Sequence, residues 1–384
     1  MDKKFSKFAA LKALTGASEA LHAAARIAIT SCLKVKPGEQ VIIVSNPETE
    51  VAAIAAALYD ASLDAGGLPV LLFQPVKTQM DFAELGVLAA FSAHPEVFIS
   101  LSAEKLGKDK KGITTPYTYQ GVNYDHIFHL QLYGEKTCRA FWSPATTIES
   151  FIRTVPIDYA LLKRRCAGVK AALDAAVSIH ITAPGGTDIR CSLRGRKARS
   201  DDGDFSEGGS GGNLPAGETF ISPENGTAQG LIVFDGSISL HDRDLLIRDP
   251  IRCTLEQGFI TAIQGGAEAA ALGATIRLAE TNARDYENAG TLPKGAGEIY
   301  ARNARNIGEI GIGLNPAARI DGHMLEDEKA FHTCHVAVGL NYDDDAPCLI
   351  HLDGLVKNPT IRVYAEDGTE RIIEQDGNLV EPIG

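Results

Sequence analysis

His351 and Asp353 stand two residues apart in the run Leu349-Ile350-His351-Leu352-Asp353-Gly354. On a strand, residues two apart project from the same face, so an imidazole and a carboxylate aim at one point. That pair suits a divalent metal, which takes deprotonated nitrogen and oxygen donors at about 2.0–2.2 Å. Three further segments set groups that are costly to bury among small and apolar residues. The first runs from Gly212 to Phe220 and delivers Glu218 through a Gly/Pro turn to the head of an apolar strand. The second, Asn306–Pro316, carries Glu309, and the third joins Asp327-Glu328-Lys329 to His335–Gly339. Taken singly, an HxD pair also reads as a surface pair or a core histidine, and a glutamate in a Gly-rich strand as a turn cap. Together, several buried carboxylates repel one another unless a cation sits among them. The four segments therefore predict a metal site in the second half of the chain.

The elements that must carry these groups follow from hydrophobic periodicity. Up to about residue 165, Ala-rich helical stretches (Glu19–Lys34, Glu48–Ala65, Met80–Phe91) alternate with wholly apolar runs at Val41–Val44, Val70–Phe73 and Val97–Leu101. Apolar strands separated by amphipathic helices predict a parallel sheet covered on both faces, an α/β domain of Rossmann or flavodoxin type. Helices at Thr147–Val155 and Tyr159–Ala175 link it to a second half of different texture. There, short strands at Val177–Thr182, Asp188–Leu193, Gly230–Phe234, Ile251–Leu255 and Phe259–Ile263 precede a long helix, Ala267–Ala283. Strands return at His335–Leu340 and Cys348–Leu352. This predicts two domains: 1–165, α/β, and 166–384, an α+β metal-binding catalytic domain with a large antiparallel component.

Composition narrows the function classes. The 384-residue chain has a net charge of −12, a poor match to nucleic acid, whose phosphates must be met by clustered Lys and Arg. Its one basic knot, Arg194–Arg199, runs into Asp201 and Asp202 and reads as a solvated loop. No GxGxxG follows Val41–Val44, and the lysines near Gly107–Gly112 lack a GK[ST] ending, which argues against a nucleotide site. No run approaches the roughly 18–20 apolar residues of a membrane span, and Met1–Phe5 lacks a signal-peptide pattern. Seven widely spaced cysteines without a CxxC predict reduced thiols in a cytoplasmic protein. His126 and His129, three apart on a strand-like run, would face opposite sides and read as structural.

Along Asn213–Pro223 (NLPAGETFISP), Gly226–Ile238 (GTAQGLIVFDGSI), Asn306–Pro316 (NIGEIGIGLNP), Leu325–Lys329 with His335–Gly339 (LEDEK…HVAVG) and His351–Val356 (HLDGLV), the chain resembles the aminopeptidase T / aminopeptidase S family of metallopeptidases. The resemblance spans most of the second half, in the family's order. It implies a homodimer of two-domain chains with a paired metal site in the C-terminal domain. Carried over by position, Glu218 and Glu309 become carboxylate ligands, and His335, His351 and Asp353 complete the set. Glu328 matches a further glutamate, across a stretch to His335 that is about two residues longer than in some members and contains His332. Tyr342 matches the active-site tyrosine, in the unlike setting Asn341-Tyr342-Asp343-Asp344-Asp345.

The implied activity is an aminopeptidase acting on small peptides. Two ions of zinc, cobalt or manganese, about 3.5–4 Å apart, would share a hydroxide whose pKa is lowered toward 7. Glu218 or Glu309 would shuttle a proton to the leaving amine, and Tyr342 would stabilise the oxyanion. Asp343–Asp345 or Glu224 could hold the substrate's ammonium, or simply be solvated. A second reading comes from the dihydroxypyridine ring-cleaving dioxygenases, which resemble this family and use a single iron(II) on a related scaffold. Two histidines and one carboxylate suit non-haem iron, and His335, His351 and Asp353 could supply them. Against it stand Glu309 and a donor set larger than one metal requires. A third reading is a non-catalytic relative whose metal or domain pair serves assembly.

Overall fold

The computed structural model describes residues 18–78 and 81–380. Residues 1–5, read above for a signal pattern, and Met80, placed in a helix, lie outside them. The chain divides into two compact units: residues up to Tyr159 together with Gly203–Ala216, and Ala160–Asp202 together with Gly217 onward. A single cut at residue 165 does not describe the return of 203–216 to the first unit.

The first unit is built on a five-stranded parallel sheet. Its order in space is Gly211–Asn213, Arg139–Trp142, Val97–Leu101, Gln40–Ser45, Leu68–Phe73. Val41, Ile43, Val97, Phe98 and Ile99 are fully buried, as expected of strands covered on both faces. Helix Thr49–Asp64 contributes an almost continuous buried run from Val51 to Leu58, its alanines allowing close approach to the sheet. Helix Glu19–Ile27 starts at Ser18, whose side chain accepts the Leu21 N–H, and widens into a π-helical turn over Ala28–Cys32. The supposed strand at His126–His129 is instead a helical turn, Ile127–His129. His126 caps it by accepting the Phe128 N–H on Nδ1, and His129 pairs with Asp125. A local side-chain cap outweighed the strand-like composition.

The second unit is antiparallel between all neighbouring strands of its two sheets. One has eight strands, in the order Phe259–Gln264, Ile251–Glu256, Gln229–Phe234, Asp188–Ser192, Ser178–Thr182, Thr360–Tyr364, Glu370–Gln375, Asn378–Leu379. The other has seven: Asp244–Leu246, Ser237–Ser239, His351–Lys357, Thr333–Gly339, Ile307–Gly313, Glu218–Ile221, Arg199–Asp201. The sheets meet where Phe234 of the first lies against Gly354 of the second; a Cβ on Gly354 would fall 2.5 Å from that ring. Helix Ala267–Asn288 begins at the expected residue and runs five residues past Ala283. All seven cysteines are free thiols, six of them buried. Among the described residues, no helix is long and apolar enough to cross a membrane.

A partly buried ion pair ties the first unit together. Arg139 Nη2 lies 2.6 Å from Glu39 Oε2, and its Nε donates to the Leu33 carbonyl at 2.7 Å. Burial pushes the Glu39 carboxyl upward; the Arg139 guanidinium and the Lys36 amide overcome it and hold it below its ordinary 4.5. Breaking such a pair leaves the partly buried Glu39 charge without its partner, so Arg139→Met should cost about 1–2 kcal/mol in urea unfolding at pH 7, solvent screening keeping it below the cost of a fully buried pair. Because the native carboxyl is depressed, its contribution is present above its unfolded value and is lost as pH falls through the folded one. The gap between wild type and variant should therefore narrow below about pH 4.

Candidate metal centre

Strand register brings the candidate donors to one face. Across the seven-stranded sheet, Glu309 pairs with Ala337 and Ala337 with Asp353. One row along, Gly311 pairs with His335; beyond it, Gly313 pairs with Glu218, and on the other side Gly339 pairs with His351. With a period of two, all of these side chains point the same way. The alternate residues Cys334, Val336, Val338, Leu352 and Val356 are buried, on the opposite face. The positions between the donors are glycine or alanine, which leaves the donors room. At Gly311 the need is explicit: a Cβ would fall 1.9 Å from His335 Nε2.

Two groups of ligand atoms lie within 4.8 Å of one another: Glu218, Glu309 and His335, and Glu309, His351 and Asp353. In the first, His335 Nε2 is 2.9 Å from Glu309 Oε1 and 3.5 Å from Glu218 Oε2. In the second, His351 Nε2 is 3.4 Å from Asp353 Oδ1 and 3.8 Å from Glu309 Oε2. His351 Nδ1 sits 2.9 Å from the Leu340 carbonyl, an acceptor only, so Nδ1 carries a proton and Nε2 is the nitrogen turned to the two carboxylates. Glu218 Oε2, Glu309 Oε2, Asp353 Oδ1 and His335 Nδ1 are buried without a hydrogen-bond partner. Buried carboxylate oxygens left open beside imidazole nitrogens are the donor set of a divalent cation.

The electrostatics agree. Burial opposes a charged His335, but its bond to Glu309 and the Glu218 charge prevail and hold the imidazole up at about 9. Burial likewise opposes His351, which Asp353 and Glu309 raise to about 10. Burial pushes Glu309 upward, while Asp353 is held below its usual range, burial being outweighed by His351. The acidic neighbours thus hold protons on both imidazoles, protons that a divalent cation bound there would displace.

Glu328 and Tyr342 stand differently from the expected ligands. Glu328 Oε1 is 2.5 Å from Lys329 Nζ, which also lies 2.6 Å from Glu218 Oε1. The sequence reading placed Lys329 in the third segment of groups costly to bury and gave it no role. Its position follows from Gly313, where a Cβ would sit 2.1 Å from the Ala330 carbonyl: the chain at Lys329–Ala330 crosses directly over the strand at the Glu218 row. Tyr342 is 41% exposed, with its ring 5.1 Å from His351 and 5.4 Å from Phe220. His332 turns away, its Nδ1 bonded to the Gly377 carbonyl. The acidic loop is engaged: Asp345 pairs with Arg196 at 2.8 Å and accepts from Asn341.

Fold and centre together define a mixed α/β protein with a parallel sheet, antiparallel sheets and a carboxylate–imidazole cluster suited to a divalent metal. Comparison with known proteins narrows this. The family model described as NicX: 2,5-dihydroxypyridine 5,6-dioxygenase matches residues 145–339, half of the chain. The chain belongs to that family. A 2,5-dihydroxypyridine 5,6-dioxygenase of Pseudomonas putida KT2440 is 31% identical over 235 residues, which is 57% of this chain and 59% of that relative's length. Among solved structures, 2,5-dihydroxypyridine dioxygenase from P. putida KT2440 superposes with a TM-score of 0.67 at 21% identity, over 94% of this chain and 97% of the other. AmpT from Thermus thermophilus superposes at 0.64 and 16% identity, over 94% and 99%.

These findings correct the peptidase expectation. The aminopeptidase shares the scaffold, not the family, so the metalloaminopeptidase activity, its hydrolase class and its peptide substrate fall. The strings that carried the resemblance are the strands and turns of the common fold, and they say little about what is bound there. Of the acids offered as a grip for a peptide ammonium, Asp345 is held by Arg196 and Asn341, and one oxygen of Glu218 is taken by Lys329.

Because Gly311 lies beneath the His335 imidazole, Gly311→Ala should displace that ring and weaken metal binding at least about tenfold in a titration with manganese(II). Gly86→Ala, where a Cβ meets nothing within 4 Å, should leave binding unchanged.

Proposed function

We propose that this chain is a metal-dependent dioxygenase that opens the ring of a dihydroxypyridine or a similarly hydroxylated aromatic, with iron(II) as its metal. The observation that carries the reading is the convergence of His351 Nε2, Glu309 Oε2 and Asp353 Oδ1 on one small space, without hydrogen bonds among them, in a member of this family. The chemistry that iron(II) supplies when bound is the coupling of an electron-rich hydroxylated ring to dioxygen.

The chain's own residues do the rest. Leu340 fixes the His351 tautomer through its carbonyl. Glu309, His351 and Asp353 converge as one histidine and two carboxylates, and His335, the other histidine of the triad considered from sequence, lies beside them. His335, bonded to Glu309, adjoins as a further nitrogen donor or as the holder of a proton at Nε2. Tyr342 and Phe220 form an aromatic rim beside His351, on which a flat ring can stack. Burial and the charges of Glu309 and Asp353 raise the Tyr342 phenol, which stays neutral and able to donate to a ring oxygen.

The test is anaerobic loading with iron(II), followed by 2,5-dihydroxypyridine in aerated buffer at an oxygen electrode. Oxygen uptake equimolar with loss of ring absorbance is expected, and Asp353→Ala should reduce it by at least about 100-fold. An iron-loaded, folded chain that consumes no oxygen with any hydroxylated pyridine or benzene would sink the reading.

A further inference from the structure

Arg199 stands on the same face of the seven-stranded sheet as the candidate ligands. Cross-strand pairing runs from Arg199 to Phe220, from Phe220 to Gly311 and from Gly311 to His335, and paired residues project to one side. The arginine is exposed, at the sheet edge where that row ends. Its Cζ lies 5.9 Å from the centre of the Tyr342 ring, which is itself 5.1 Å from the His351 ring and 5.4 Å from Phe220. One aromatic ring therefore reaches from an expected metal ligand to a positive charge. We propose that Arg199 grips a carboxylate on the substrate, so that the preferred substrates are hydroxylated rings bearing an acid group across the ring from a hydroxyl. The inference rests on the reading of this centre as a ring-opening dioxygenase and narrows its substrate class.

In a chain of net charge −12, Arg199 pairs with no carboxylate among the described residues. The acids of the loop that carries Tyr342 are engaged elsewhere: Asp345 and Asp343 lie 2.8 and 3.9 Å from Arg196. The hydrogen bond that Arg199 makes runs from Nη2 to the Tyr342 carbonyl, which holds the guanidinium beside the aromatic rim and leaves Nε and Nη1 to a ligand. A guanidinium stays charged at any working pH, and its planar fork meets a carboxylate in two parallel bonds, a fit that a lone phenol oxygen does not offer. The setting also calls for such a cation. Glu218, Glu309 and Asp353 repel an anion that approaches the cluster. A ring laid along Tyr342 with its hydroxyls at the His351 end carries an acid group on its far side away from those three, to the Arg199 end. A guanidinium that only pinned the Tyr342 loop would act on every aromatic ligand alike, and that difference separates the two roles.

The manganese(II)-loaded chain, kept under argon so that nothing turns over, is titrated calorimetrically with 3,4-dihydroxybenzoate and with catechol, which differ only in a carboxylate across the ring from a hydroxyl. Wild type is expected to bind 3,4-dihydroxybenzoate at least about tenfold more tightly, as a charged two-point bond provides. Arg199→Gln, or Arg199→Ala if Gln does not fold, should abolish that preference and leave catechol affinity within about twofold of wild type, while Arg199→Lys keeps part of the preference. Equal affinities in wild type, a preference that survives in the neutral variant, or an equal loss for both ligands overturns the proposal. If neither neutral variant folds, the wild-type comparison decides alone. A wild type that binds neither ligand also overturns it, and oxygen uptake with 2,5-dihydroxypyridine then shows separately whether the dioxygenase reading stands.

Discussion

Four carboxylates, those of Glu218, Glu309, Glu328 and Asp353, crowd one end of a seven-stranded sheet with little water to screen them. Their repulsion is the constraint that the surrounding structure answers. One answer is built into the chain, as the Lys329 ammonium between Glu218 and Glu328. Another is imidazole: His335 and His351 both gain proton affinity from their acidic neighbours in spite of burial. What remains open is the set of oxygens around His351 Nε2, where a divalent cation would supply what the protein does not.

The sheet makes this crowding possible by alternation. Gly311, Gly313, Ala337 and Gly339 stand between the donors in the cross-strand rows, so large polar groups sit side by side without steric conflict. The opposite face carries Cys334, Val336, Val338, Leu352 and Val356 into the interior. A one-residue slip of the His351–Lys357 strand would turn His351 and Asp353 into that apolar interior, so the register that buries the valines also aims the ligands.

Much of this arrangement could be read from sequence because it depends on local spacing. The HxD pair on a strand, the glutamates among glycines and the apolar parallel strands all appear near the expected residues. His126–His129 misled because a capped helical turn and a short strand have the same composition, and only the His126 side-chain bond tells them apart. Lys329 was invisible for a different reason. Its importance comes from a crossover above Gly313, a contact between distant parts of the chain that no window of sequence contains. The reaction was misjudged because the strings around Glu218, Glu309 and His351 specify a scaffold, and a scaffold does not by itself specify a chemistry.

The return of Gly203–Ala216 to the first unit has a consequence for synthesis. The strand Gly211–Asn213 lines the edge of Arg139–Trp142, with Gly209 N–H on the Cys138 carbonyl, Ala140 N–H on Ser210 and the Ser143 hydroxyl on the Leu214 carbonyl. While the chain is still emerging from the ribosome, that edge stays open through the translation of some seventy residues beyond it. A nascent N-terminal fragment therefore shows bare ladder groups to its neighbours, which makes this interval, and any excised N-terminal piece, the stage most in need of a chaperone.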